Sequence, residues 1–389
     1  MPDGAGRRFF DIAREPGRFP ELDGVRAIAI VWVLARHATL IRGTSHDPIW
    51  PVFGFDAASV FENGFAGVDL FFVLSGLLIT LQLDRISKSG EGARAFGRYV
   101  LRRVRRILPA YYAWLAIVVS GLLSFYPVRD DDLGWRIGYH LLLLQDYFPS
   151  DIVVPFWSLG VEEKFYLLAP LLVLSLRRVR ARTAAIVLVV IAMVCAAIRA
   201  LTWTQLPHPV TYEAFFPHLR SPFHESFDGL TFGVLVAVLW LRRDELRLPR
   251  PSMLLGGGVT SALLFLALRP TMSNDIGLVT SAGLAFALAC SFGAVVLGLL
   301  LGRFPLATRW LGGPSLRFLA KISYSLYLVH FVFVNEVDRV LRESSDWYLA
   351  ASVGARLPVH FVCYGAVSIG VAVLLHVAVE RPLLPPSHA

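Results

Sequence analysis

Ten apolar runs of about 18 to 25 residues follow one another along the chain, at roughly 24–43, 64–83, 108–126, 156–176, 183–202, 223–241, 252–269, 277–301, 318–335 and 358–379. A helix needs about 20 apolar residues to carry its backbone across ~30 Å of hydrocarbon. The pattern therefore predicts an all-α fold, a polytopic membrane bundle of about ten transmembrane helices with both termini cytoplasmic. One more apolar piece, GYHLLLLQDY at 138–147, is too short to cross and is expected to be re-entrant or interfacial.

Charge sets the orientation. Cytoplasmic loops carry an excess of Lys and Arg, and an even number of spans puts alternate loops inside. Segment 84–107 holds Arg85, Lys88, Arg94, Arg98, Arg102, Arg103, Arg105 and Arg106. The turn 177–182 reads RRVRAR, 242–250 has four arginines, and 302–317 has Arg303, Arg309 and Arg317. Segments 44–63 and 127–155 between them are poorer in arginine and carry acids, among them Asp130, Asp131 and Asp132. The expected layout is a cytoplasmic tail (1–20), a transmembrane domain (21–382) and a C-terminal tail (383–389). The polar first 20 residues, with Arg7, Arg8, Arg14 and Arg18, do not read as a cleavable signal.

Composition agrees with a membrane chain. Of 389 residues 56% are hydrophobic and 17% charged, against about 25% charged in soluble domains, and the mean hydropathy is +0.59. The net charge of +8 does not point to nucleic acid, because the basic residues cluster at the ends of apolar runs, where they orient helices. Cys195, Cys290 and Cys363 all lie inside apolar stretches and form no metal-binding spacing; they read as packing residues.

Against that background the polar groups within apolar runs stand out, since ionisable residues in a bilayer face a bundle interior or a wet cavity. In RAIAIVWVLARH, Arg26 and His37 are eleven residues apart. On a helix that is about 16 Å of rise and about 20° past three full turns, so they share one face. A neutral histidine can accept a proton as a general base, and an arginine suits phosphate or carboxylate. The plain alternative is a packed histidine and an interfacial anchor. In GVDLFFVLSGLLIT, Asp69 reads equally as a helix cap or as a group orienting the histidine, and Ser75 and Gly76 as small residues for close packing. RRVRRILPAYY, with Pro109 suited to a first helical turn, reads as a topology signal, an anionic-lipid contact or a phosphate site. In FWSLGVEEKFYLLAP, Glu162 and Glu163 point to different faces, so both cannot be ordinary interfacial residues facing water; one is expected to meet an arginine, His37 or an acceptor hydroxyl, and the plain alternative is an interfacial acid pair with Lys164 as its counter-charge. Two further segments, FHESFDGLTFG at 223–233 and ISYSLYLVHF at 322–331, also carry polar groups, and His330 in the second reads more simply as packing. Outer aromatics Trp50, Trp157, Trp203, Tyr212 and Phe215 suit either an aromatic belt or stacking on sugar rings.

The order of these elements is more specific than any one of them. Arg26 and His37 separated by ten residues, then GVDLFFVLSGLLIT, Arg102-Arg103-x-x-Arg106-Ile107-x-Pro109, WSLGVEEKFYL, SYSLYLVH and a terminal Glu380-Arg381-Pro382 resemble the acyltransferase-3 family of bacterial membrane O-acyltransferases, over about residues 20–382. The resemblance implies a ten-helix domain in the bacterial inner membrane. It implies transfer of an acyl group, acetyl by default, from acyl-CoA on the cytoplasmic side to a hydroxyl of a glycan, lipid-linked sugar or small-molecule acceptor, among membrane lipids, with no permanently bound cofactor and no metal. Carried over by position, His37 is the catalytic histidine and general base, and Glu162 and Glu163 line the active site. Arg26, Arg102, Arg103 and Arg106 contact the donor, and Asp69, Trp157, Tyr166 and His330 are placed as acceptor contacts. Direct transfer is the simplest route, because no nucleophilic cysteine or serine is evident beside His37. Lys164 stands where the family usually has glutamine, and the chain looks like the short form without a C-terminal SGNH-type domain. The alternatives kept open are a polytopic transporter or exporter of a glycan or lipid-linked intermediate, and a non-catalytic lipid-binding scaffold.

Overall fold

A computed structural model describes residues 19–43, 45, 47–53, 55–89, 92–267 and 275–383. The tails expected at 1–20 and 383–389 fall, but for their inner residues, outside the described residues. The longer helices are α1 (Pro20–Ala38), α2 (Ala66–Lys88), α3 (Gly92–Val119), α4 (Leu133–Leu141), α5 (Trp157–Leu176), α6 (Ala181–Gln205), α7 (Phe223–Leu241), α8 (Pro251–Ala267), α9 (Leu278–Leu301), α10 (Pro314–Val329), α11 (Val334–Ser344) and α12 (Val353–Leu375). The only strands among the described residues are two-residue pieces, Pro51–Val52 and Phe55–Asp56, paired antiparallel between α1 and α2.

Each of the ten apolar runs coincides with a helix, but among the described residues seven helical stretches are long and apolar enough to cross a membrane. The other three are α3, α5 and α8. Arginines occupy the first half of α3, Glu162, Glu163 and Lys164 interrupt α5, and α8 has 17 residues. Two sequence expectations change. Pro109 lies inside α3, not in its first turn, and the basic segment 84–107 is mostly helical, formed by the end of α2 and the start of α3. The 138–147 piece holds the end of the nine-residue α4 and does not cross.

α1 starts with proline in its first turn and acids at Glu21 and Asp23, and ends with Arg36 and His37. Each charge complements the helix dipole, and proline fits where no N–H is needed. Among the described spans α2 is the most enclosed, whereas α6 and α12 leave most of their side chains uncovered by the bundle. α2 and α7 cross at Gly76 and Gly233. A Cβ on Gly76 would run into the Leu230 carbonyl, and one on Gly233 into the Val73 carbonyl, so only glycine lets the two backbones touch. The result is an inner group of α1, α2, α5, α7 and α10, on which the polar residues converge.

Candidate active site

His37 sits in the last turn of α1. Its Nδ1 is 2.9 Å from the Val33 carbonyl oxygen and 3.1 Å from Nε2 of His330. His330 follows the end of α10, where the chain tightens into a 3₁₀ turn (His330–Phe333) before α11. Its Nδ1 is 2.8 Å from the Tyr327 carbonyl and 3.1 Å from that of Leu326. The two rings lie 4.9 Å apart, and Phe331 meets His37 edge-on at 5.1 Å.

A cavity of about 70 Å³ opens beside His37, lined among others by Arg36, Trp157, Tyr212, Arg220 and Tyr327. That is room for a few waters or a two-carbon acyl group. Its wall is rigid. Arg220 donates to both oxygens of Asp69, at 2.8 and 3.0 Å, with its guanidinium carbon 5.1 Å from the Trp157 ring and 5.7 Å from that of Phe65. Tyr327 donates to the Pro155 carbonyl at 2.8 Å and meets Ser158 Oγ at 2.6 Å. Arg36 lies over the Tyr212 ring at 6.0 Å.

The second polar cluster is built from α1, α2, α3 and α5 around Arg26. Tyr166 donates to Glu162 at 2.8 Å, and its hydroxyl is 3.0 Å from Ser75 Oγ. Arg103 donates to Gln82 at 2.5 Å and lies over the rings of Tyr99, at 6.0 Å, and Tyr166, at 5.8 Å. Glu162 faces the charges of Arg26, Arg103 and Arg106. α5 joins the clusters: Ser158 holds a tyrosine of the His37 cavity, Glu162 follows about 6 Å along the axis, and Tyr166 about 12 Å.

The placements divide the sequence candidates. Trp157 lines the His37 cavity, as do Tyr212 and Phe215 of the outer aromatics. Trp50 instead donates to the Gly354 carbonyl, and Trp203 to that of Ile276. Asp69 neither caps α2 nor orients His37; its charge is taken by Arg220. Tyr166 and Glu162 belong to the arginine cluster, and His330 is fully buried behind His37, not among the cavity residues. Glu163 Oε1 is buried without a hydrogen-bond partner, and so is Arg102 Nε, whereas Arg106 is exposed. Lys164 pairs with Asp146 at 2.5 Å and the Leu143 carbonyl at 2.9 Å, so it fastens the α4–α5 connection to α5. Sequence reasoning passed over Arg220 and Tyr327. The buried Asp69 was the available signal, since an acid in hydrocarbon demands a cation nearby.

No metal-binding group of three or more His, Cys, Asp or Glu occurs among the described residues. No solved structure matches the chain. The peptidoglycan O-acetyltransferase OatA of Listeria monocytogenes is 26% identical over 355 residues, 86% of this chain and 53% of that protein. The O-acetyltransferase OatA of Staphylococcus aureus is 25% identical over 345 residues, 82% of this chain and 52% of that protein. The chain thus spans about half the length of these relatives. A family model described as an acyltransferase domain covers residues 19–377, so the chain belongs to the acyltransferase-3 family.

Proposed function

We propose that the chain is a multi-pass O-acyltransferase of the bacterial inner membrane, with ten spans and cytoplasmic termini, that moves an acetyl or other short acyl group from acyl-CoA to a glycan hydroxyl. The observation that carries this reading is the arrangement on α1: a histidine facing a small cavity at one end, and an arginine among further arginines about 16 Å away. The donor's phosphates bind at Arg26, Arg102, Arg103 and Arg106, and its acyl end reaches the cavity past Tyr166 and Tyr327. His37 takes the proton of the acceptor hydroxyl as its oxygen attacks the thioester carbonyl. The C–O bond forms, the C–S bond breaks, and the proton ends on the departing thiolate. The glycan acceptor is supported by the peptidoglycan O-acetyltransferase of Listeria monocytogenes that this chain resembles and by the aromatic cavity wall.

Radiolabelled acetyl-CoA given to membranes holding the protein, beside an expression-matched His37→Ala control, tests it. Label in a glycan, lipid or small-molecule fraction only when His37 is intact is the expected result, and the labelled fraction names the acceptor. A folded, inserted His37→Ala protein that labels at the normal rate would falsify the histidine's role. Purified protein that binds no acyl-CoA would return the transporter reading to the front.

A further inference from the structure

Two histidines meet inside the helix bundle, and their contacts allow one arrangement of protons on the neutral pair. A backbone carbonyl only accepts. His330 Nδ1 faces the Tyr327 and Leu326 carbonyls, so it carries hydrogen, and its neutral ring presents a lone pair at Nε2. His37 Nδ1 faces the Val33 carbonyl and that lone pair, so it carries hydrogen too. The remaining basic atom of the pair is His37 Nε2, on the ring that lines the cavity. The two ends of the chain of contacts were fixed separately, and they agree at the 3.1 Å link between the rings.

We propose that His330 is the positioning residue for His37: it accepts the Nδ1 hydrogen and so holds the Nε2 lone pair ready in the cavity. The Val33 carbonyl cannot do this alone, because it is the natural i−4 partner of the His37 backbone N–H. The arrangement also says which histidine is the base. When His37 gains a proton at Nε2, its Nδ1–H still donates to His330 and the contact strengthens. A proton on His330 Nε2 would point at the His37 Nδ1–H. His330 therefore stays neutral through the cycle and acts as the orienting partner that a carboxylate supplies in a serine-protease triad.

The inference rests on His37 being the base, and the test separates the two. Solid-state ¹⁵N NMR of ¹⁵N-histidine-labelled protein in bilayers, with His37→Ala and His330→Phe to assign signals, reads the protons without any turnover. Expected are protonated Nδ1 and bare Nε2 on both rings, and a His37 signal that shifts or splits in His330→Phe. A wild-type His37 protonated on Nε2, or a spectrum unmoved by His330→Phe, overturns the proposal. In the acyl-transfer assay His330→Phe should lower kcat by about 10² or more while leaving KM within about twofold, the scale of a misheld histidine. His330→Gln, whose amide oxygen can accept, should recover a large part of the loss. A raised KM at normal kcat would make His330 a substrate contact, and full activity in His330→Phe would make it packing; either sinks the positioning role while His37 remains the base. Protein that transfers nothing but shows the expected tautomers leaves the pair correct and the transferase reading wrong.

Discussion

The two ends of α1 handle polarity in opposite ways. Around His37 the partners are backbone carbonyls, a second fixed ring and a tyrosine pinned at both sides of its hydroxyl. Around Arg26 they are mostly long side chains, Glu162, Arg106 and Arg103 with its own partner Gln82, beside the Tyr166 ring, and Arg106 is exposed. Proton transfer requires a heavy-atom distance of about 2.6–3.2 Å, which short and rigid partners secure. Holding a charged, mobile donor requires cations that reach and adjust, which flexible stems supply. The rigid end should therefore fail in rate and the flexible end in affinity.

The hardest blow to this contrast is the His37→Ala protein. It is expected to lose about 10² to 10⁴ in kcat, with donor KM almost unchanged, as measured by initial rates over a range of acetyl-CoA concentrations. If donor KM rises instead, the two ends are not divided as described. Next comes Asp69→Ala. It leaves the Arg220 charge buried beside Trp157 and Phe65 without its counter-ion, a change that costs about 3–5 kcal/mol. The protein should melt at a clearly lower temperature in detergent, and Asp69→Ala combined with Arg220→Met should regain much of the loss. A double variant no better than the single one would show that the ion pair is not what braces the cavity.

The flexible end predicts a milder outcome. Arg103→Ala should raise donor KM by about 10- to 100-fold, the worth of one or two charge-assisted hydrogen bonds, with kcat within a few-fold of normal. Arg103→Lys should fall between, because the charge stays while the planar stacking on Tyr99 and Tyr166 is lost. A large drop in kcat with donor KM unchanged would place Arg103 in the chemistry and remove the contrast.

What the sequence made legible follows the same physics. Periodicity within the continuous α1 puts Arg26 and His37 eleven residues apart on one helix, and run lengths mark helices at ten places, of which seven among the described residues are long and apolar enough to cross a membrane, because both depend on local spacing alone. Contacts across the bundle left no local trace. His330 lies 293 positions from His37, and Arg220 lies 151 from Asp69; neither pairing has a period to read. Pro109 misled because proline usually marks a helix start, yet it stands within α3. Lys164 departs from the family pattern, and its partner Asp146 stands 18 positions earlier, too far along the chain for helical spacing to reveal.

The smallest effect is expected where water takes over from protein. Asp151, in the connection between α4 and α5, receives hydrogen bonds from Tyr139 at 3.0 Å and Arg129 at 3.1 Å, and pairs with Arg136 at 2.8 Å. It is the aqueous counterpart of Asp69 with Arg220. Partial burial pushes its carboxyl up, but the hydrogen bonds of Arg136 and Tyr139 outweigh that and hold it below the ordinary value. A carboxyl held low in the folded state adds stability above its unfolded value, near ~3.9, and that contribution is lost as pH falls through the folded one. Solvent screening limits it to about 1 kcal/mol or less. Wild-type protein should thus melt slightly higher than Asp151→Asn at pH 6, and the gap should close once the pH is taken below the folded value. Equal melting at pH 6 would mean that these three contacts contribute no net stability. A gap as wide as that of Asp69→Ala would mean that this connection is as dry as the bundle interior.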